Sequence, residues 1–282
     1  MSLPSLDFYA NPNLPPRDVI VGKCREAGGE CRGIHLRNQP SGPIVACVKY
    51  GSNVDIAEAF TQNFVARALS ANPETGVRIP RVFDAFVVSR THWPVGYIVM
   101  DYIDAPDCEE IDSQLVAKAV QVLISVPGPN LVPGPVGGGP IIHTFFTDWT
   151  SAITYDTVEE LQMHVNGILK YRGDKRRVDL VADAHDGLRL CPCDINPGNF
   201  KKCEDGTIVA LDFRATCFLP PSFFAVAMAK AMRNFAWQVN RYVDYPKSDD
   251  VEAMLSASYF LVPYQSNSLG IPRALRQRKG LR

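Results

Sequence analysis

The sequence predicts an α+β protein with two lobes, a small β-rich N-terminal lobe carrying one helix and a larger, mainly helical C-terminal lobe. Two observations support this prediction. Before Pro106, short runs of β-branched and aromatic residues follow one another between turn signals; after it, segments with helical periodicity dominate. We therefore expect an N-terminal lobe over residues 1–103 and a C-terminal lobe over residues 104–282.

The N-terminal elements follow from local patterns. The segment AGGECRGIHLRN is predicted to be a glycine turn entering a strand, and IVACVKYG is a second strand with Lys49 near its end. From Val54 the apolar residues repeat with helical spacing, which predicts a helix through VDIAEAFTQNFVARALSA. RIPRVFDAFVVS and YIVMDYIDA are predicted to form two further strands.

The C-terminal lobe opens with the helical segment EIDSQLVAKAVQVLISV, followed by a loop rich in proline and glycine, Val132–Pro140. DTVEELQMHVNGILKYR is a helix capped by Asp156 or Thr157. CPCDINPGNFKKCEDGTIVALDF then predicts a loop and two short strands around the turn EDGT. SFFAVAMAKAMRNFAWQVNRYV and SDDVEAMLSASYFLV predict helices that close the chain.

Composition restricts the class of partner. The formal net charge is −1, so no global basic field favours nucleic acid or an anionic membrane. No apolar run approaches the roughly 20 residues of a membrane span, and the first residues show no pattern of a secretory signal. Eight cysteines scattered over 282 residues indicate reduced thiols, and we expect a cytoplasmic protein. Oligomeric state is not predicted.

Three oxygen-bearing side chains in the CPCDINPGNF…ALDF segment fit phosphoryl transfer. Asp194 and Asn199 match the D-x-x-x-x-N pattern of a kinase catalytic loop. In that pattern the aspartate serves as base at the acceptor hydroxyl, while the asparagine oxygen binds Mg²⁺. Asp212, which ends the strand-like run IVALD, is the second predicted Mg²⁺ ligand, because hard cations prefer such oxygens.

Lys49 and Glu58 add a second part of the same chemistry. A lysine near the end of a strand, followed by a glutamate in the next helix, is the ion pair that orients nucleotide phosphates. Each residue alone equally fits a purely structural role. Lys49 fits an edge-strand lysine, Glu58 a solvated helix residue, and Asp194 and Asn199 fit turn-capping residues.

The cysteines of this segment suggest a competing interpretation. Cys191, Cys193, Cys203 and Cys217 have spacings of 2, 10 and 14 residues, which lack the paired C-x-x-C units of structural zinc sites. No histidine is paired with a cysteine in a motif for nucleophilic catalysis. The thiols equally fit small buried apolar residues.

The ordered motifs AGGECRGIHLR, VACVKYG, IAEA, YIVMDYID, CDINPGNF and ALDF resemble the aminoglycoside phosphotransferase and choline kinase-like family, most of all its fungal branch. The resemblance implies a bilobal protein-kinase-like fold, ATP with Mg²⁺, and transfer of the γ-phosphate to a hydroxyl of a small molecule. It implies Lys49 on the phosphates with Glu58 as partner, Asp194 as base, and Asn199 and Asp212 on Mg²⁺. The link Met100, Asp101 and Tyr102 is expected to contact the adenine.

Two departures from the family pattern leave an alternative open. Pro192 stands where the family usually has histidine, two residues before the catalytic aspartate, and the phosphate-covering loop is reduced to Gly28, Gly29 and Gly33. The alternative is a catalytically weak or silent kinase-like protein that binds a nucleotide or a partner. Val132–Pro140 lacks a preceding strand and the GK[ST] of a P-loop; it either shapes the acceptor site or only connects.

Overall fold

The computed structural model describes residues 7–28, 33–39, 41–89, 93–231 and 234–281. Its strands and helices, in chain order, are α1 (Arg17–Ala27), β1 (Gly33–Arg37), β2 (Ile44–Gly51), α2 (Ile56–Ser70), β3 (Val77–Arg78), β4 (Val82–Val88), β5 (Val95–Met100), α3 (Ser113–Ser125), α4 (Val158–Arg172), α5 (Leu180–Asp183), β6 (Arg189–Pro192), β7 (Phe200–Lys202), β8 (Ile208–Ala210), β9 (Thr216–Leu219), α6 (Ser222–Ala229), α7 (Phe235–Asn240), α8 (Asp250–Leu261) and α9 (Arg273–Arg278).

The predicted fold class is confirmed: the protein is α+β, with a sheet-rich N-terminal part and a mainly helical remainder. The chain divides into two compact units. The first comprises Met1–Asp107 together with Lys201–Arg214, and the second Cys108–Phe200 together with Ala215–Arg282. The boundary after residue 103 stays a prediction, and the structure groups the short segment Lys201–Arg214 with the N-terminal part.

The first unit is built on a four-stranded sheet of order β1-β2-β5-β4 with antiparallel neighbours. Alternation along β2 sends Val48 and its even-numbered neighbours into a core that also contains residues of α1. The opposite face carries Ile98 of β5 and Ala59 of α2 in a second cluster. Each fully buried aliphatic side chain contributes about 1.5–3 kcal/mol. The sheet is thus covered on both faces, and odd-numbered positions of β2 face α2.

Helix α1 was not predicted, because the residues around it are rich in proline, glycine and asparagine. Its buried residues Ile20, Val21 and Cys24 are spaced for one helical face. They pack under the sheet together with Leu36 of β1. Pro16 is the N-cap residue, with a ψ of 153°, and it makes no side-chain hydrogen bond to the first turn.

The second unit joins helices to a two-stranded antiparallel pair, β6 with β9. Helix α3 packs against β6, α4 against α8 and α5, and α6 against α8. Helix α4 begins at the predicted cap, because Thr157 Oγ1 accepts a hydrogen bond from Glu160 N. Within the part of the chain that the structure describes, no helix is long and apolar enough to cross a membrane.

Candidate active site

A lysine between two carboxylates is the central feature of the first unit. Lys49 Nζ lies 2.6 Å from Glu58 Oε1 and 2.8 Å from Asp212 Oδ1. The strand period explains the first contact: Lys49 pairs with Ile98, on the sheet face that α2 covers, and Glu58 lies in the first turn of α2. The structure therefore brings together Lys49 and Glu58, as the sequence pattern predicted, and adds Asp212.

Burial makes this cluster electrostatically unusual. The Glu58 side chain is only 2% exposed, and its second oxygen, Oε2, has no hydrogen-bond partner in the described structure. Burial raises the pKa of Glu58 to about 6, although Lys49 opposes the shift. For Lys49, burial works against the charge, but the attraction of Glu58 and Asp212 outweighs it and the pKa is raised. The lysine is therefore a firmly held cation.

Asp212 has a strained backbone. Its φ is +53°, a left-handed conformation that side chains with a Cβ rarely adopt. Its Oδ1 also accepts from Arg214 N at 3.3 Å, while the side chain stays 40% exposed. Such conformations cost about 1–3 kcal/mol and cluster at functional sites. Asp212 Oδ1 thus contacts Lys49 and Arg214 N, while part of the side chain stays open to solvent.

Asp194 and Asn199 lie together in the second unit, on the loop that follows β6. Asn199 Nδ2 donates to the Asp194 backbone oxygen at 2.8 Å, which leaves the amide oxygen of Asn199 outside this bond. Asn196 Nδ2 donates to Asp194 Oδ1 at 3.2 Å. Asn196 was not predicted as a site residue, although an asparagine two residues after the aspartate is a signal for such a contact. The exposed Asp194 carboxylate is therefore oriented by its own loop.

Residue 192 tolerates proline for a physical reason. Cys193 N donates to Ala215 O, so Pro192, which faces Thr216, occupies the neighbouring non-hydrogen-bonded position of the pair. A residue there needs no backbone N–H for the ladder. The strand pairing that leads into the Asp194 loop is therefore kept despite the departure from the family pattern.

The link at the end of β5 is held by side chains. Asp101 is bound by Arg81, whose backbone N and Nε donate to its Oδ2 at 2.8 and 3.0 Å. Gln62 Nε2 lies 3.5 Å from Met100 Sδ, and the Tyr102 ring centre lies 4.5 Å from that of His35. The Asp101 side chain is thus structural, and contact of this link with a nucleotide stays a prediction.

Two glycine-rich segments can now be placed. Gly29 lies outside the described residues; Gly28 has a φ of +89°, and its oxygen accepts from Tyr50 Oη at 2.7 Å. In the loop Val132–Pro140, Gly134 exchanges two backbone hydrogen bonds with Phe218 of β9, at 3.0 and 2.8 Å. That loop is therefore fastened to the strand pair.

Asp212 and Asn199, each considered within its own unit, offer oxygens of the kind that Mg²⁺ binds. Asp212 supplies a carboxylate and Asn199 an amide oxygen, the hard donors that Mg²⁺ takes, and Mg²⁺ typically completes its shell with phosphates and water. Over the described residues, no group of three His, Cys, Asp or Glu side chains could hold a metal ion. Asn199 and Asp212 belong to different units, and their shared metal site stays a prediction.

Comparison with known proteins gives structural similarity only. No family model matches the sequence, and no curated protein matches it. The fold is similar to a microcompartment-associated aminopropanol kinase, with 12% identity over 93% of each chain and a TM-score of 0.46. It is similar to the aminoglycoside phosphotransferase APH(4)-Ia, with 14% identity over 89% of this chain and 92% of that one and a TM-score of 0.46. It is also similar to the spectinomycin phosphotransferase APH(9)-Ia, with 13% identity over 87% and 85% and a TM-score of 0.41.

Proposed function

We propose that this protein is an ATP- and Mg²⁺-dependent phosphotransferase that moves the γ-phosphate to a hydroxyl of a small molecule. The observation that carries the proposal is the arrangement Glu58–Lys49–Asp212. A lysine fixed by a buried glutamate presents a permanent cation to phosphates. A strained, partly exposed aspartate within 2.8 Å of that lysine supplies an anion for Mg²⁺ beside them.

In the proposed reaction, each residue has one role. Lys49 binds the α- and β-phosphates, and Glu58 keeps its side chain in place. Asp212 and Asn199 would hold Mg²⁺, which supplies charge neutralisation on the phosphates when bound. Asp194, oriented by Asn196, accepts the proton of the acceptor hydroxyl. The acceptor oxygen forms a bond to the γ-phosphorus, the bond from that phosphorus to the bridging oxygen breaks, and ADP leaves.

On the motifs quoted above, we place the chain in the fungal branch of the aminoglycoside phosphotransferase and choline kinase-like family, working in the cytoplasm on a small-molecule acceptor. Pro192 and the short glycine loop favour the alternative, a nucleotide-binding protein without turnover. Both functions use the same lysine cluster, and they differ in whether Asp194 has a substrate to act on.

Four variants test these roles. Asp194→Asn keeps the side-chain shape but cannot accept a proton, so it should spare ATP binding and reduce turnover by about 10²–10⁴-fold. Asp212→Asn removes a charge from the metal's surroundings and should weaken Mg²⁺-dependent ATP binding. Cys191→Ser and Cys193→Ser are the controls: activity should stay within a few fold, and no zinc should be released.

For each variant we measure ATP affinity with and without Mg²⁺, turnover over a panel of alcohols, and bound metal. An active Asp194→Asn variant would refute the role of Asp194 as the base. Stoichiometric zinc in the parent protein that is lost from the cysteine variants would refute this interpretation of the loop. A thermal shift with ATP and Mg²⁺ but no turnover with any acceptor would favour the silent alternative.

A further inference from the structure

A cavity of about 400 Å³ lies within the second unit, at the start of β6. It is enclosed by the last turn of α3, the turn after α5, the end of β9 and the segment around Tyr245. This volume is in the range of small-molecule sites, about 300–1,000 Å³. Neither Asp194 nor Asn199 lines it. The cavity is thus separate from the residues of the proposed reaction.

The floor of the cavity is apolar and aromatic. Ile124, Leu190, Leu219 and Phe224 line it, and Leu190 and Leu219 are fully buried members of the core. The Tyr245 ring stands edge-on to Phe224, with ring centres 5.1 Å apart. Phe224 is almost completely buried, so Tyr245, which is half-buried, is the ring of this pair that a ligand can contact, and the face of such a ring attracts cations.

The rim carries more negative than positive charge. Asp183, Asp186 and Asp244 line the cavity beside one guanidinium, that of Arg189. Asp183 Oδ2 accepts a hydrogen bond from Ser222 N at 2.9 Å, and Asp186 Oδ2 lies 3.0 Å from His185 Nε2. Arg189 donates to a backbone oxygen, at 3.4 Å from Ser125 O. The three carboxylates would repel an organic anion, whereas they would attract an organic ammonium group.

Hydrogen bonds within the protein fix one wall of the cavity. Gln121 Nε2 donates to Asp244 O at 2.7 Å, and Asp244 N donates back to Gln121 Oε1 at 2.7 Å. Tyr245 Oη donates to Asn240 Oδ1 at 2.9 Å. These contacts are made by backbone and neutral groups, and none of them involves the Asp244 carboxylate. A preformed wall lowers the ordering cost of binding.

We propose that this cavity, which we call the β6 cavity, binds an organic amine with an apolar or aromatic body. The ring or chain of the ligand occupies the floor, and its ammonium group lies at the rim near Asp186 and Asp244. This site is distinct from the acceptor site of the proposed reaction. It is independent of the proposed function, because it rests on other residues and holds for an inactive protein as well.

Three probes of one shape and different charge test the proposal: 2-phenylethylamine, 2-phenylethanol and phenylacetate. Binding is measured by calorimetry and by saturation-transfer NMR on the full chain. We expect the amine to bind at least about 5-fold more tightly than phenylacetate, since each partly exposed carboxylate contributes up to a few fold. Equal affinity of the amine and the carboxylate would overturn the charge argument.

Variants locate the site. Ala182→Phe places a ring at the exposed lip of the β6 cavity and should abolish binding of the amine. Asp186→Asn and Asp244→Asn should each weaken it by about 2–5-fold. Asp249→Asn, an exposed carboxylate outside the lining, is the matched control and should leave it unchanged.

Asp194→Asn separates the two sites. If the amine occupied the acceptor site instead, its affinity would change in this variant and survive Ala182→Phe, and the proposal would be wrong. Thermal unfolding of each variant shows whether it is folded. If Ala182→Phe fails to fold, the two aspartate variants against Asp249→Asn decide: unchanged affinity in both would refute the site.

Discussion

Replacing Glu58 by glutamine should change how stability depends on pH. Burial raises the pKa of Glu58 from 4.5 to about 6, and one pKa unit corresponds to about 1.4 kcal/mol. Ionising Glu58 therefore costs about 2 kcal/mol more in the folded protein than in the unfolded protein. Because the folded state binds this proton more tightly than the unfolded state, Glu58 lowers the free energy of unfolding as pH rises through 4.5 to 6.

The measurement is a difference between two proteins. Urea unfolding of the parent and of Glu58→Gln, at several pH values from 4 to 8, gives the free energy of unfolding of each. Parent minus variant should fall by about 2 kcal/mol between pH 4 and pH 7.5. Differences in packing between glutamine and the protonated acid add a constant offset, whereas the pH-dependent part reports the titration of Glu58, including its attraction to Lys49.

Lys49→Met provides the second arm. Lys49 lowers the Glu58 pKa, so its removal should raise that pKa further. In the Lys49→Met protein, the contribution of Glu58 to the free energy of unfolding should therefore keep falling to higher pH. A parent-minus-variant difference that is the same at pH 4 and 7.5 would refute the reasoning. So would a difference that increases with pH, which would mean that attraction by Lys49 exceeds the effect of burial.

Three further predictions concern packing, capping and the thiols. Gly167→Ala should lower the free energy of unfolding by about 1–3 kcal/mol, because a Cβ there would lie 1.8 Å from Gly270 O. Gly22→Ala in α1 has open space around the added Cβ and should raise that free energy by about 0.5–1 kcal/mol. Equal denaturation midpoints for the two variants would contradict this prediction. Thr157→Ala should lower stability by roughly 0.5–2 kcal/mol through loss of the α4 cap, and an unchanged urea midpoint would count against the cap. Burial raises the pKa of Cys217 to about 12 and the pKa of Cys193 above its usual range. A disulfide reagent should therefore label neither thiol in the native protein and both after denaturation. Rapid labelling of the native protein would show that the pair of strands β6 and β9 opens.

Local patterns predicted the elements whose residues alternate or repeat clearly. The bounds of β2 coincide with IVACVKYG, and α2 begins two residues after the predicted start at Val54. The pairing of β6 with β9 was not predicted. Their four-residue lengths carry no period, and they are joined only by contacts far apart in sequence.

The candidate site shows the same division. Lys49 and Glu58 are nine residues apart, and the strand-to-helix order is enough to predict their contact. The contact of Lys49 with Asp212 spans 163 residues, and it depends on how the chain returns to the first unit. The left-handed backbone of Asp212 has no clear sequence signal, because aspartate enters this region more often than most residues do but only at a few positions.

The segment Lys201–Arg214 gives the first unit a discontinuous sequence. A fragment that ends at Asp107 would lack Asp212 and would leave β3 without β8, its parallel partner. On the ribosome, the N-terminal part is made first, yet it cannot acquire its last strand and its second carboxylate until Arg214 has been synthesised. For protein engineering, a single cut therefore cannot separate the two units: a fragment that keeps the contact between Lys49 and Asp212 needs residues 1–107 joined by a linker to residues 201–214.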